Sequence, residues 1–192
     1  MTTRIGWWWA AFPLLVVVSC TSGSGPRPVL PALPELEELF RADQEDRQPP
    51  PGGRPRTQAE WLEVGARDLA RLKRVKEIYR LDGLRQPRDF YLAGAILHHS
   101  WDSTTAADDH LLAHELAIIA FAGDVPGAGY LVAASEDRFL SDDLGRKQRF
   151  GTQYGPGELI LSEGVSDSLR ARYGVPELAR LRARARPPGS PP

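Results

Sequence analysis

Apolar residues recur at helical spacing along most of this chain. After Pro34-Glu35, the positions Leu36, Leu39 and Phe40 predict a short helix running to about Gln48, where Pro49-Pro50-Pro51-Gly52-Gly53 stops it. Thr57 caps a long second helix in which Trp61, Val64, Leu72, Val75 and Tyr79 make one apolar stripe, with Arg67, Arg71 and Arg74 opposite. Asp82-Gly83 ends it. Pro87 suits a first helical turn, and 88–101 follows with Phe90, Ala93 and Leu97 on one side. The most apolar stretch is 105–122. It carries Leu112, Leu116 and Ile119 on one flank and Leu111, Ile118 and Phe121 on the other, the pattern of a helix between neighbours in a bundle. Gly123 closes it, and Asp124 is the expected cap of a further helix carrying Tyr130, Leu131, Ala134 and Leu140 to about Ser141.

Past Gly145 the texture changes. Arg149–Tyr154 and Glu158–Val165 read as extended segments joined by Gly155-Pro156-Gly157, the pattern of a hairpin. A last helical piece, about 166–185, carries Leu169, Tyr173, Leu178 and Leu181, and no internal repeat is present. The expected fold is mainly α: a single-domain helical bundle of about five or six helices with a small β-hairpin-like element near the C-terminus.

Composition sharpens the boundaries. Of 17 prolines in 192 residues, 13 lie in 1–56 or 187–192, so the folded part is framed by proline-rich segments. A net charge of −1 gives no footing for nucleic acid. Cys20 is the single cysteine, which excludes an internal disulfide. It closes a leader in which Arg4 precedes the uncharged run Ile5–Val18, too short to span a bilayer but matching the apolar region of a secretory signal. Val17-Val18-Ser19-Cys20 resembles the lipobox of bacterial lipoproteins, which implies lipid transfer to Cys20 and cleavage before it. Residues 1–19 are thus expected as signal peptide, 20–34 as lipidated cysteine and tether, 35–186 as the helical domain and 187–192 as a disordered tail. The expected location is the bacterial cell envelope, lipid-anchored on an extracytoplasmic face. Thr21 leaves no acidic retention signal after the cysteine.

Several polar groups fall where apolar ones belong. Asp43 lies four residues after Leu39 and Arg47 four after Asp43, so both extend the apolar stripe of the first helix, with Gln44 beside them. Facing inward they require partners, whereas at a fraying end they make an exposed ion pair. All four histidines, His98, His99, His110 and His114, fall within 17 residues. His110 and His114 share a helical face and with His98 or His99 supply a weak zinc alternative, although His-Leu-Leu-Ala-His-Glu departs from the zincin order. A hydrogen-bonded structural histidine is the plainer reading, and no cofactor or metal is expected. Asp137-Arg138 and then Gln148, Arg149, Thr152 and Gln153 beside Gly151 either hold a polar ligand or knit the turn to the bundle.

These segments together resemble the bacterial domain-of-unknown-function family 6624. The likeness rests on Asp43-Gln44-x-x-Arg47, a histidine ending a middle helix (His98 or His99), Asp137-Arg138-x-Leu140, and Gly145-x-x-Gln148-x-Phe150-Gly151-Thr152-Gln153, across about 35–180. Phe150 stands where the pattern is associated with tyrosine, and His110 and His114 have no counterpart. The resemblance implies one polar constellation from Asp43, Arg47, a histidine, Asp137, Arg138, Gln148 and Gln153, and it transfers no reaction. The leading expectation is a membrane-anchored lipoprotein whose domain binds a protein partner or small polar ligand. The alternative is a hydrolase with His98 or His99 as general base or acid, Asp43 or Asp137 orienting it, and Arg47 or Arg138 stabilising negative charge. No Gly-x-Ser-x-Gly motif occurs, although Ser100 follows the histidines. Six arginines from Arg170 to Arg186 against Glu177 read as a solvated helix end, with envelope contact as the other possibility.

Overall fold

The computed structural model describes residues 33–153, 161–162 and 164–185. Its seven α-helices are α1 (Pro34–Arg47), α2 (Gln58–Arg80), α3 (Pro87–Leu97), α4 (Ala106–Ala122), α5 (Ala128–Arg138), α6 (Asp167–Arg172) and α7 (Leu178–Ala185). The protein is mainly helical, as its periodicity predicts. The proposed lipid site Cys20, the leader and the tail 187–192 lie outside the described residues. No described helix is long and apolar enough to cross a membrane.

Local chemistry explains the helix starts. Thr57 and Glu60 form a reciprocal capping box on α2, the side chain of each accepting from the other's backbone N–H. Asp89, buried in the first turn of α3, accepts from the backbone of Arg85, Gln86 and Leu33, and so ties the start of α1 to α3. The start of α5 differs from expectation. Asp124 is not its cap; Gly127, at φ +84°, turns the chain into the helix, and Asp124 occupies a left-handed position of its own at φ +56°. Its far end passes into a π turn over Phe139–Asp143.

α3 is the central helix, buried from Leu92 to His98, with α1, α2, α4 and α5 packed around it. The main core joins Leu36 of α1, Leu72, Val75 and Ile78 of α2, Leu92, Ile96 and Leu97 of α3 and Leu116 of α4. Between α3 and α4 the contact is made of small residues. Gly94 lies so close to α4 that a Cβ there would stand 3.1 Å from the Ala113 carbonyl oxygen.

Three further expectations change. α4 sits between α3 and α5 as expected, but its predicted flanks are only partly inside: Leu116 is buried and Leu112 packs on the core, whereas Leu111, Ile118, Ile119 and Phe121 are exposed, and Asp109, His110, Ala113, Ala117 and Ala120 complete the inward face. Small side chains win that face because they permit close approach to α3 and α5. In α2, Trp61 and Tyr79 are exposed while Ile78 is buried, and Arg71 faces inward among carboxylates of α1 and α2. The piece 166–185 is two helices, broken where Gly174 adopts φ +68° and Pro176 follows. Of the hairpin, residues 154–160 and 163 lie outside the description. Among the described residues there is no strand, and one isolated parallel bridge joins Gln148 and Leu161.

Candidate functional site

The inward turn of α1 delivers Asp43 to the end of α3. Asp43 is 1% exposed; its Oδ1 accepts from Arg47 at 2.9 Å and its Oδ2 from Gln44 at 2.9 Å. The same Oδ2 lies 2.9 Å from Nδ1 of His99. A carboxylate can only accept, so the His99 proton sits on Nδ1 and Nε2 is left as the working nitrogen. His99 keeps 22% of its side chain exposed, as Arg47 keeps 23%. Of the two adjacent histidines, His99 therefore pairs with the acid.

His98 points inward. It is buried and its Nδ1 has no partner, while its ring centroid lies 5.3 Å from that of His99 and 6.4 Å from that of His110. Burial holds its pKa well below the ordinary imidazole value, and the charge of Arg138 pushes the same way. Arg138 reaches the site from α5. Its Nη1 donates to the His98 carbonyl at 2.6 Å and its Nε to Gln153 at 3.0 Å. Its own pKa is lowered, first by burial, with Arg47 adding repulsion that Asp142 and Asp143 oppose.

The second half of the constellation has a different role. Asp137 is fully buried and accepts four bonds: Arg149 N–H (2.6 Å) and Phe150 N–H (2.8 Å) on Oδ1, then Thr152 N–H and Oγ (both 2.8 Å) on Oδ2. With all these positions filled, it is an anchor for the 149–152 loop. Gln148 exchanges bonds with the backbone of Gln153, which in turn donates to the Ala134 carbonyl. Phe150 is buried against Tyr173, so its ring is a packing element. The structure thus brings Asp43, Gln44, Arg47, His99 and Arg138 to the end of α3, and uses Asp137, Gln148, Thr152 and Gln153 to hold the loop that positions Arg138.

The other two histidines diverge. His110 Nδ1 donates to Asp143 at 2.8 Å, and His114 Nδ1 donates to the Val132 carbonyl at 3.0 Å. Among the described residues no group of three or more histidine, cysteine or acidic side chains is placed to hold a metal ion.

Sequence reasoning missed the charges on the facing helix. Arg47 also donates to Asp68 at 3.0 Å, Arg71 bridges Asp46 (2.7 Å) and Asp68 (2.5 Å), and Arg67 holds Asp46 through both carboxylate oxygens. These bonds pull the Asp46 carboxyl down to about 2, the Arg67 bond contributing most. Three acids and three arginines so knit α1 to α2. Asp109, buried at the start of α4, accepts from Lys76, Ser100 and Thr105. Arg71 at i+3 from Asp68 was the available signal. No protein-family model, curated protein or solved structure matches this chain.

Proposed function

We propose that this protein is a membrane-anchored, extracytoplasmic lipoprotein whose helical domain binds a small polar ligand carrying an anionic group. The observation that carries the binding reading is the Asp43-oriented His99, with Arg47 on the same carboxylate and the Arg138 guanidinium on the backbone carbonyl of the neighbouring His98. Asp43 and Asp68 offset Arg47, whereas among the described residues Arg138 makes one ion pair, to Asp142 at 3.7 Å, feels a further attraction from Asp143, and otherwise donates to neutral oxygens. That leaves positive charge beside a hydrogen-bonding imidazole, a setting suited to carboxylate or phosphate. The resemblance to domain-of-unknown-function family 6624 rests on the same residues. Titration of the full chain in detergent with inorganic phosphate and with succinate, followed by the His99 ring signals in NMR, tests it. A saturable shift lost in Arg138→Gln is expected; ring signals unmoved by either anion would refute it.

The anchor rests on Val17-Val18-Ser19-Cys20 at the end of the apolar leader. Multiple acyl chains on Cys20 would hold the domain stably where one chain is marginal. Radiolabelled palmitate should mark the wild type and not Cys20→Ala, with the variant leaving the membrane fraction. Equal labelling of both would remove the lipoprotein reading.

A hydrolase is the second reading, favoured by the Asp43–His99 pair, since a buried carboxylate fixing the tautomer of a partly exposed imidazole is the arrangement of a general base. Ser100 is not a ready nucleophile, because it is buried and donates to Asp109 at 2.7 Å. Turnover of p-nitrophenyl acetate or phosphate above the buffer rate, abolished in His99→Gln, would favour this reading over binding alone.

A further inference from the structure

We propose that the cleft between α2 and the loop joining α3 to α4 is a second binding site, built for a neutral sugar ring. The cleft has a volume of about 360 Å³ and is lined by Trp61, Val64, Gly65, Asp68 and Trp101. That volume lies at the small end of ligand sites, enough for one or two rings. Its indole walls are 48% and 71% exposed, although tryptophan is on average a well-buried residue. Gly65 forms part of the lining in the middle of α2, where glycine weakens a helix and no left-handed backbone demands it. A Cβ at Gly65 would meet nothing within 4 Å.

Asp68 supplies the chemical observation. It is 3% exposed, it lines the cleft, and its Oδ2 accepts no hydrogen bond. A buried acceptor without a donor is unfavourable, so the site calls for one. The other oxygen already takes Arg47 and Arg71. The carboxylate charge is balanced within the cluster, where Asp43, Asp46 and Asp68 share Arg47, Arg67 and Arg71, and Arg56 stands 5.2 Å from the centroid of the Trp61 ring. Both facts select against a cationic ligand and for a neutral donor. A pyranose has hydroxyls that donate and an apolar C–H face that stacks on an indole. Oδ2 is covered from bulk water, so a ligand hydroxyl would reach it from the cleft that Asp68 lines. Arg47 links Asp68 to Asp43 and hence to His99, but the cleft depends on neither the lipid anchor nor an anion at His99.

The test uses the full chain in detergent. Indole N–H signals of Trp61 and Trp101, assigned with W61F and W101F, are followed by NMR during titration with cellobiose, maltose and N,N′-diacetylchitobiose. At least one of these should shift both signals saturably with a Kd of about 1 mM or tighter. Gly65→Leu, which fills the cleft with a better helix former, should weaken that binding by about tenfold or more at an unchanged or raised melting temperature. Trp101→Ala, at an exposed position, should weaken it likewise, and serves if Gly65→Leu does not fold. The proposal is overturned if none of the three sugars shifts the signals, if the shift survives both variants, or if tetramethylammonium produces the same saturable shift.

Discussion

Asp46 receives bonds from Arg67 and Arg71, and its pKa falls from 3.8 to about 2. A carboxylate with a lowered folded-state pKa contributes stability that is present above the unfolded value and lost as pH falls through the folded one. Asp46 should therefore contribute on the order of 2 kcal/mol above pH 4, lost between about pH 4 and 2. Asp46→Asn should flatten that part of the stability profile in urea melts; an unchanged slope would contradict the assignment. His98 behaves in the opposite chemical sense with a similar outcome. Buried and neutral, it resists protonation, so the unfolded chain gains the proton first and stability declines as pH falls below about 6.5. His98→Gln should lessen that decline. Asp137 is the plainest structural residue of the set. In Asp137→Asn the amide nitrogen is best placed toward Thr152, whose hydroxyl can turn to accept but whose backbone N–H cannot, so at least one of the four bonds is lost at a cost of about 1–3 kcal/mol. Urea denaturation measures the loss, and retained anion binding at His99 would separate this anchoring role from the ligand site.

At the scale of elements, the packing of α3 on α4 depends on small side chains. Gly94 has the Ala113 carbonyl oxygen 3.1 Å, Leu116 Cβ 3.4 Å and a Leu131 methyl 3.5 Å from where its own Cβ would stand. Gly94→Val should push the helices apart and destabilise by about 1–3 kcal/mol, read as a lowered urea midpoint. The α3–α4 contact also shows why the sequence misplaced the buried face of α4. Leucine and isoleucine dominate a hydrophobicity pattern, but close helix approach selects alanine, so Leu111, Ile118, Ile119 and Phe121 of α4 are left outside while Leu116 stays in the core. Periodicity did locate the five helices between 34 and about 140 within a few residues, because proline, glycine and capping residues stand at their ends. The last helical stretch reads as continuous in the sequence because its apolar spacing survives the Gly174–Pro176 break.

For the molecule as a whole, the C-terminal helices belong to the bundle through a small cluster of Ala133, Phe150, Val175 and Leu181. Arg170, buried at 1% exposure, adds a guanidinium that donates to the Phe150 carbonyl. Leu181→Ala should cost about 2–5 kcal/mol while leaving a single unfolding transition; a separate early transition for this end would show that α6 and α7 fold independently. The sequence by itself determined the mainly helical class, most helix ends and the residues of the polar constellation, because each is written in local spacing or in a contiguous motif. Only the tertiary structure decided which histidine meets Asp43, that Asp137 anchors a loop, that Asp46, Asp68 and Arg71 join the network, and that two tryptophans line one cleft. Those outcomes depend on contacts between residues 12 to 56 positions apart, and helical periodicity carries no information on which faces of separate helices meet.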